Sequence, residues 1–234
     1  AADRGVAILP GVGLCAYGGY YYDGDHEFNL GTYLKKHPER ASTAHEDGAG
    51  KREVHPVLDP SLPANQRWWR DGLDWMHENF AIGGINFEMG DFIVNPSEGA
   101  VAARQSFDLD TDGNIQDIVV ATSALLDHAY AQHPDATYIN ALYRGYHQIK
   151  NFPKVPYAEA LHDKAVWEYT MLKLVRRPDF PEAFMNIPAH RQYGYFHWFN
   201  ASMGSQENDF TEAIKDIFPK LHQIGFEFAG TYGE

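Results

Sequence analysis

Cysteine is almost absent from this chain: Cys15 is the only one in 234 residues. A single thiol excludes a disulfide framework and a thiolate zinc cluster. Basic residues are also scarce, with 19 Lys and Arg against 32 Asp and Glu, a formal net charge of -13. Nucleic-acid surfaces need clustered cations for the phosphates, so that class of partner is excluded. No run of about 18 apolar residues occurs, so no membrane-spanning helix is expected. The glycines at 11, 13, 18 and 19 follow a strand-like run, but no Gly-Lys-Ser/Thr and no helical pattern come after them. A phosphate loop is therefore excluded, and so is a dinucleotide fingerprint.

What the chain does have is length for one sizeable domain and a large stock of aromatics: 14 Tyr, 14 Phe and 5 Trp. Its opening, Ala1-Ala2-Asp3-Arg4-Gly5, lacks an apolar signal core and reads as the end of a helix with its closing glycine. Its close, Gly230-Thr231-Tyr232-Gly233-Glu234, stops just after a strand-like run. Both ends lead us to expect a piece of a longer polypeptide, or of an oligomer. Solubility is expected, and the localisation is left open, with secretion or the periplasm as one option for the full-length protein.

Strand-length apolar runs begin near 6, 85, 137, 165, 193 and 226, and the later ones are about one βα unit apart. Helical patterns fall between them. Over residues 65–80, Trp69, Leu73, Met76 and Phe80 share one face. Over residues 115–132 the stripe is Ile118, Ala121, Leu125 and Ala129. Over residues 207–223 it is Phe210, Ile214, Ile217 and Leu221, with Ile224 just beyond. Strands alternating with helices mean a parallel sheet. The expected fold class is α/β: a (β/α)8 TIM barrel, with about six βα units present, the third to the eighth. The whole chain, 1–234, is expected to be one partial barrel domain, with a long loop insertion at about 15–63. That insertion carries Tyr20-Tyr21-Tyr22 with Asp23, Asp25 and His26. It reads either as binding-loop chemistry or as a surface loop held by its aromatics.

Catalytic groups in such barrels lie at the C-terminal ends of the strands. The stretch Gly84-Ile85-Asn86-Phe87-Glu88-Met89-Gly90-Asp91 runs apolar and then acidic, which places Glu88 at a strand end. Carboxylates there are costly unless solvated or paired. Glu168 and Glu234 fall near two later strand ends, and Asp91 lies three residues beyond Glu88. Tyr17, Tyr143, Trp167, Trp198 and Tyr232 also fall near strand ends. His197 and Asn200 add hydrogen-bonding groups. Separately, Asp108-Leu109-Asp110-Thr111-Asp112-Gly113 has the opening spacing of a calcium loop. The usual Glu at the twelfth position is replaced by Val119, so the alternative is an acidic cap on the following helix.

The segments Leu9-Pro10-Gly11-Val12-Gly13, Gly84 to Asp91, Tyr195-Phe196-His197-Trp198 and Thr231-Tyr232-Gly233-Glu234 together resemble the barrel domains of glycoside hydrolases. More narrowly, the chain resembles bacterial carbohydrate-degrading proteins distantly similar to β-hexosaminidases. Two departures stand out. Phe87 precedes Glu88 where β-hexosaminidases carry an Asp-Glu pair, and His197-Trp198-Phe199-Asn200 lacks the strand-seven Glu of another large clan. The resemblance implies a glycosidase acting on a poly- or oligosaccharide through barrel-mouth carboxylates, with no required cofactor beyond a possible Ca2+. Glu88 is then the acid, and Glu168 or Glu234 the second carboxylate, as glycoside hydrolysis requires. Competing readings are a metal-dependent sugar isomerase using Glu88, Asp91, His197 and Glu234 as ligands, a non-catalytic carbohydrate-binding barrel, and a scaffold.

Overall fold

The computed structural model describes residues 2–15, 18–48, 51–88, 97–106, 114–140, 163–170, 191–196 and 223–226. They belong to two compact units, Ala1–Ala165 and Val166–Glu234. The first unit runs β1 (Gly11–Gly13), α1 (Leu30–Lys36), β2 (Ala41–Gly48), β3 (Lys51–Leu58), α2 (Pro63–Asn79), β4 (Gly84–Glu88), α3 (Glu98–Ser106), α4 (Asn114–Gln132) and β5 (Thr137–Asn140). The second contains β6 (Val166–Thr170), β7 (Gln192–Phe196) and β8 (Gln223–Phe226).

In the first unit β4 lies between β1 and β5, parallel to both. In the second, β7 lies between β6 and β8, again parallel to both. Parallel neighbours need long crossovers, and α2 and α4 are the described ones. The parallel-strand expectation therefore holds within each unit, and the α/β alternation holds in the first.

Alternation along the strands gives the first unit two unlike faces. Val12, Ile85, Phe87 and Tyr138 share one face and are all buried. It packs on α2 and α4, where Trp69, Leu73, Met76, Leu125 and Ala129 are buried too. Phe87 stacks on Tyr138 at 5.8 Å, and Tyr130 of α4 meets Tyr138 edge-on at 5.0 Å. The opposite face carries Gly11 and Gly13 of β1 beside Asn86 and Glu88 of β4.

Several expectations need adjusting. The apolar run at 6–10 was expected as a strand, but the regular strand is Gly11–Gly13. The carbonyls of Ile8 and Pro10 still accept from Gly83 and Asn86, each at 2.9 Å, so the run lies along β4. Val6 and Ile8 are about half exposed, and Pro10 has no N–H to donate, so the pairing is thinner there. Phe80 does not join the buried stripe of α2. It follows the last helical residue, in extended backbone, and its ring is 46% exposed. The last strand begins three residues earlier than expected, so Gln223 and Ile224 belong to β8 and not to a helix. The residues expected to form that helix, 207–222, lie outside the described residues.

The segment 15–63 is not one long loop. Asn29 caps α1 by accepting from the Thr32 N–H at 2.9 Å through its side chain. Strands β2 and β3 form an antiparallel hairpin with Ala41 opposite Leu58 and Gly48 opposite Lys51. The many His, Asp and Glu of this segment hide its alternation, because few apolar residues mark either face.

Tyr20-Tyr21-Tyr22 is largely a packing device, at least in its first two members. Tyr20 is buried and donates to the Trp69 carbonyl at 2.7 Å. Tyr21 stacks on His26 at 4.4 Å and meets Trp75 edge-on. Phe28, Trp68 and Tyr33 extend the cluster along α2. Gly72 of α2 is what lets Tyr20 in, since a side chain there would collide with the Tyr20 ring. Of the two readings left open by the sequence, these contacts support the aromatic-held surface loop.

Candidate active site

Glu88 is the last residue of β4, an interior strand of its unit. Three local features place it there. Gly84 opens the strand with φ 152°, and any side chain at this position would collide with the main chain of Thr137. Ile85 and Phe87 are fully buried on the helix face, which turns Asn86 and Glu88 to the other side. The Glu88 carbonyl then accepts from the Leu14 N–H at 2.8 Å, tying the end of β4 to the end of β1.

The ground beside Glu88 is unusually bare. Gly13 is its register partner on β1, and Gly11 pairs with Asn86. Neither contributes a side chain, and the Glu88 carboxylate leans over Gly11: its Oε1 lies 3.8 Å from where a Cβ would stand. Glu88 is half-buried while Asn86, one pleat below, is buried. A carboxyl group in this setting can exchange a proton with a ligand resting on the glycines. Along the sequence Gly11 and Gly13 suggest only a phosphate loop, which is excluded; their place beside Asn86 and Glu88 is visible only in the register. Their spacing of two, matched to Asn86 and Glu88, was the available signal.

The hairpin base stands close by. Leu58 is fully buried and its N–H donates to the Cys15 carbonyl at 2.9 Å, just past the end of β1. Trp69 of α2 donates its indole N–H to the Leu14 carbonyl at 2.8 Å. The chain just past the end of β1, Glu88's neighbouring strand, is thus pinned by two bonds.

The other candidate residues are less fully placed. Glu168 is the third of the five residues of β6, opposite Tyr193 of β7, so it sits mid-strand and not at a strand end. Trp167 precedes it, opposite Gln192. The side chains of both lie outside what the structure describes. Tyr17, Asp91, Tyr143, His197, Trp198, Asn200, Tyr232 and Glu234 also lie outside the described residues, as do Asp108, Asp110 and Asp112 of the calcium-type loop.

A second titratable cluster was not anticipated. It lies toward the starting ends of β4 and β5, on the helix face. His77 of α2 stacks on His133 at 3.7 Å and shares a hydrogen bond of 3.0 Å with the Tyr138 hydroxyl. His128 of α4 contacts both carboxylate oxygens of Asp74, at 2.8 and 3.0 Å. Burial and the neighbouring His133 lower the pKa of His77. Burial raises the pKa of Tyr138 and Tyr20. No group of three metal-ligating side chains occurs among the described residues.

No family model matches the chain. No curated protein sequence matches it either. Similarity appears at the level of structure. A chitobiase of Flavobacterium johnsoniae is similar over 97% of this chain at 13% identity, with a TM-score of 0.53. Ega3 of Aspergillus fumigatus, solved in complex with galactosamine, is similar over 97% of this chain at 10% identity, with a TM-score of 0.51. The glycoside hydrolase domain of PgaB from Bordetella bronchiseptica follows at 11% identity over 95% of this chain, with a TM-score of 0.49. The chain spans 33% of the chitobiase chain and 76% of the Ega3 chain. At these identities the likeness concerns the fold, which is glycoside-hydrolase-like. No described helix is long and apolar enough to cross a membrane.

Proposed function

We propose that this chain is the larger part of a (β/α)8 barrel belonging to a secreted or periplasmic glycosidase, completed by further chain or by a partner copy. Glu88 is its general acid. The observation that carries this reading is the placement of Glu88: the closing residue of an interior parallel strand, on the face away from the helices, over a floor of two glycines. In a closed barrel that is where the strand ends meet the substrate.

In this reaction Glu88 passes its proton to the glycosidic oxygen as the bond from that oxygen to the anomeric carbon breaks. A second carboxylate, Glu168 or Glu234, activates the water that replaces it or forms the intermediate that water then opens. The chitobiase likeness and the galactosamine bound to the second relative support an amino-sugar glycan as the first substrate class to try. The loop of Asp108, Asp110 and Asp112 is a proposed calcium site that would brace the start of α4, with ion–oxygen distances of about 2.3–2.6 Å.

The test is Glu88→Gln in the intact protein, assayed on chitohexaose and on a nitrophenyl N-acetyl-β-hexosaminide. Loss of a general acid should slow chitohexaose turnover by about 10²–10⁴-fold. The nitrophenyl substrate, whose leaving group needs little protonation, should suffer much less. Unchanged turnover of chitohexaose would show that Glu88 is structural.

A further inference from the structure

The fold does not explain why residue 11 is a glycine. Gly19 and Gly84 have positive φ, and a side chain at Gly72 would run into the Tyr20 ring. Gly11 meets neither condition. Its φ is not positive, it is exposed on β1, and there is room for a Cβ. Apart from its chain neighbours, Glu88 Oε1 is the one described atom within 4 Å of that Cβ position. It lies 3.8 Å away, an ordinary contact.

Glycine weakens a strand, because it packs nothing and loses the most freedom on folding. Within strands it often marks a close approach by a ligand or by another backbone. No described main-chain atom outside the chain neighbours comes within 4 Å of the Cβ position, so a close backbone does not account for Gly11. What a side chain would change is access to Glu88. An oxygen that receives the Glu88 proton must come within about 2.6–3.2 Å of the carboxyl. A methyl group at position 11 would stand on the Oε1 side of that carboxyl and compete for the same space.

We propose that Gly11 is a specificity-determining residue: it reserves the Oε1 side of Glu88 for the ligand, which comes against the main chain of β1 there. The inference rests on the glycosidase reading for the identity of the ligand. It deepens that reading by naming the side from which the glycosidic oxygen reaches the acid. The restriction is steric and is set at one position.

Gly11→Ala in the intact protein tests it, with chitohexaose and the nitrophenyl N-acetyl-β-hexosaminide as substrates. The melting temperature should equal or exceed that of the parent, because alanine restricts the unfolded chain and meets no clash in the folded one. A single methylene in a binding pocket changes kcat/KM by about 10–200-fold, and a loss in that range is expected here. Both substrates should suffer alike, because both set the same sugar beside Glu88. Glu88→Gln should instead spare the nitrophenyl substrate, so crowding and loss of the acid are told apart. The pH dependence of kcat/KM should keep the parent's shape, since the acid is intact.

Parent-like kcat/KM in Gly11→Ala would overturn the proposal, as would a loss confined to one substrate or a shifted pH profile. A lowered melting temperature or a failure to fold would also overturn it, because protein and not ligand would then fill the space. If the parent cleaves neither substrate, the glycosidase reading fails, and calorimetric titration with chitohexaose decides Gly11 separately. Weaker binding in Gly11→Ala at an undiminished melting temperature upholds its role; binding that is absent or unchanged overturns it.

Discussion

The two faces of the β1–β4–β5 strands use the same backbone for opposite purposes. Toward the helices stand Val12, Ile85, Phe87 and Tyr138, each packed against large side chains of α2 or α4 or buried among them. Away from the helices stand Gly11, Gly13, Asn86 and Glu88, where β1 offers no side chain at all and β5 adds the buried Ile139 beside Asn86. A sheet built only for stability would carry apolar bulk on both faces once both are covered. The contrast is the ground on which the second face is proposed as the chemical one.

The helix face should yield the largest loss of stability. Trp69 is the largest fully buried side chain, and its indole bonds to the Leu14 carbonyl at 2.8 Å. Trp69→Ala should cost about 3–5 kcal/mol, read as a fall in the urea midpoint. A loss below about 1 kcal/mol would mean that the helix face does not hold the unit together. Tyr20→Phe removes only the hydroxyl that bonds the Trp69 carbonyl at 2.7 Å and should cost about 0.5–1.5 kcal/mol by the same measurement.

A smaller effect of pH belongs to the same face. His77 has a lowered pKa in the fold, because of burial and of His133, with Asp74 opposing. As pH falls, the unfolded chain therefore takes up this proton first. The contribution is fully present above about pH 6.5 and is lost as pH drops through that value toward the lowered folded one. Urea midpoints at about pH 7.5 and about pH 5 should differ less in His77→Gln than in the parent. An equal difference in both would remove His77 as a source of acid sensitivity.

Much of this arrangement was legible in the sequence, and unevenly. The strands at 85 and 193 and the helices α2 and α4 were clear, because buried elements leave strong apolar periodicity. The position of Glu88 followed from the same pattern: four buried residues and then a carboxylate. The hairpin was not legible, because a ribbon without an apolar face leaves no alternation to count. The aromatic role of Tyr20 and Tyr21 depended on Gly72 and Trp75, some fifty residues away, which no local pattern links. The Gly11–Glu88 juxtaposition likewise needed the register of two strands far apart in sequence. Phe80 misled because the spacing of a helical stripe continues on paper after the helix has ended.

We propose that the face turned from the helices beside Glu88 serves chemistry and contributes little to stability. Glu88→Gln tests it when melting temperature and chitohexaose turnover are measured on one preparation. We predict a melting temperature equal to or above that of the parent, together with a loss of turnover of about 10²–10⁴-fold. A lowered melting temperature with turnover intact would contradict the claim and make Glu88 a part of the scaffold.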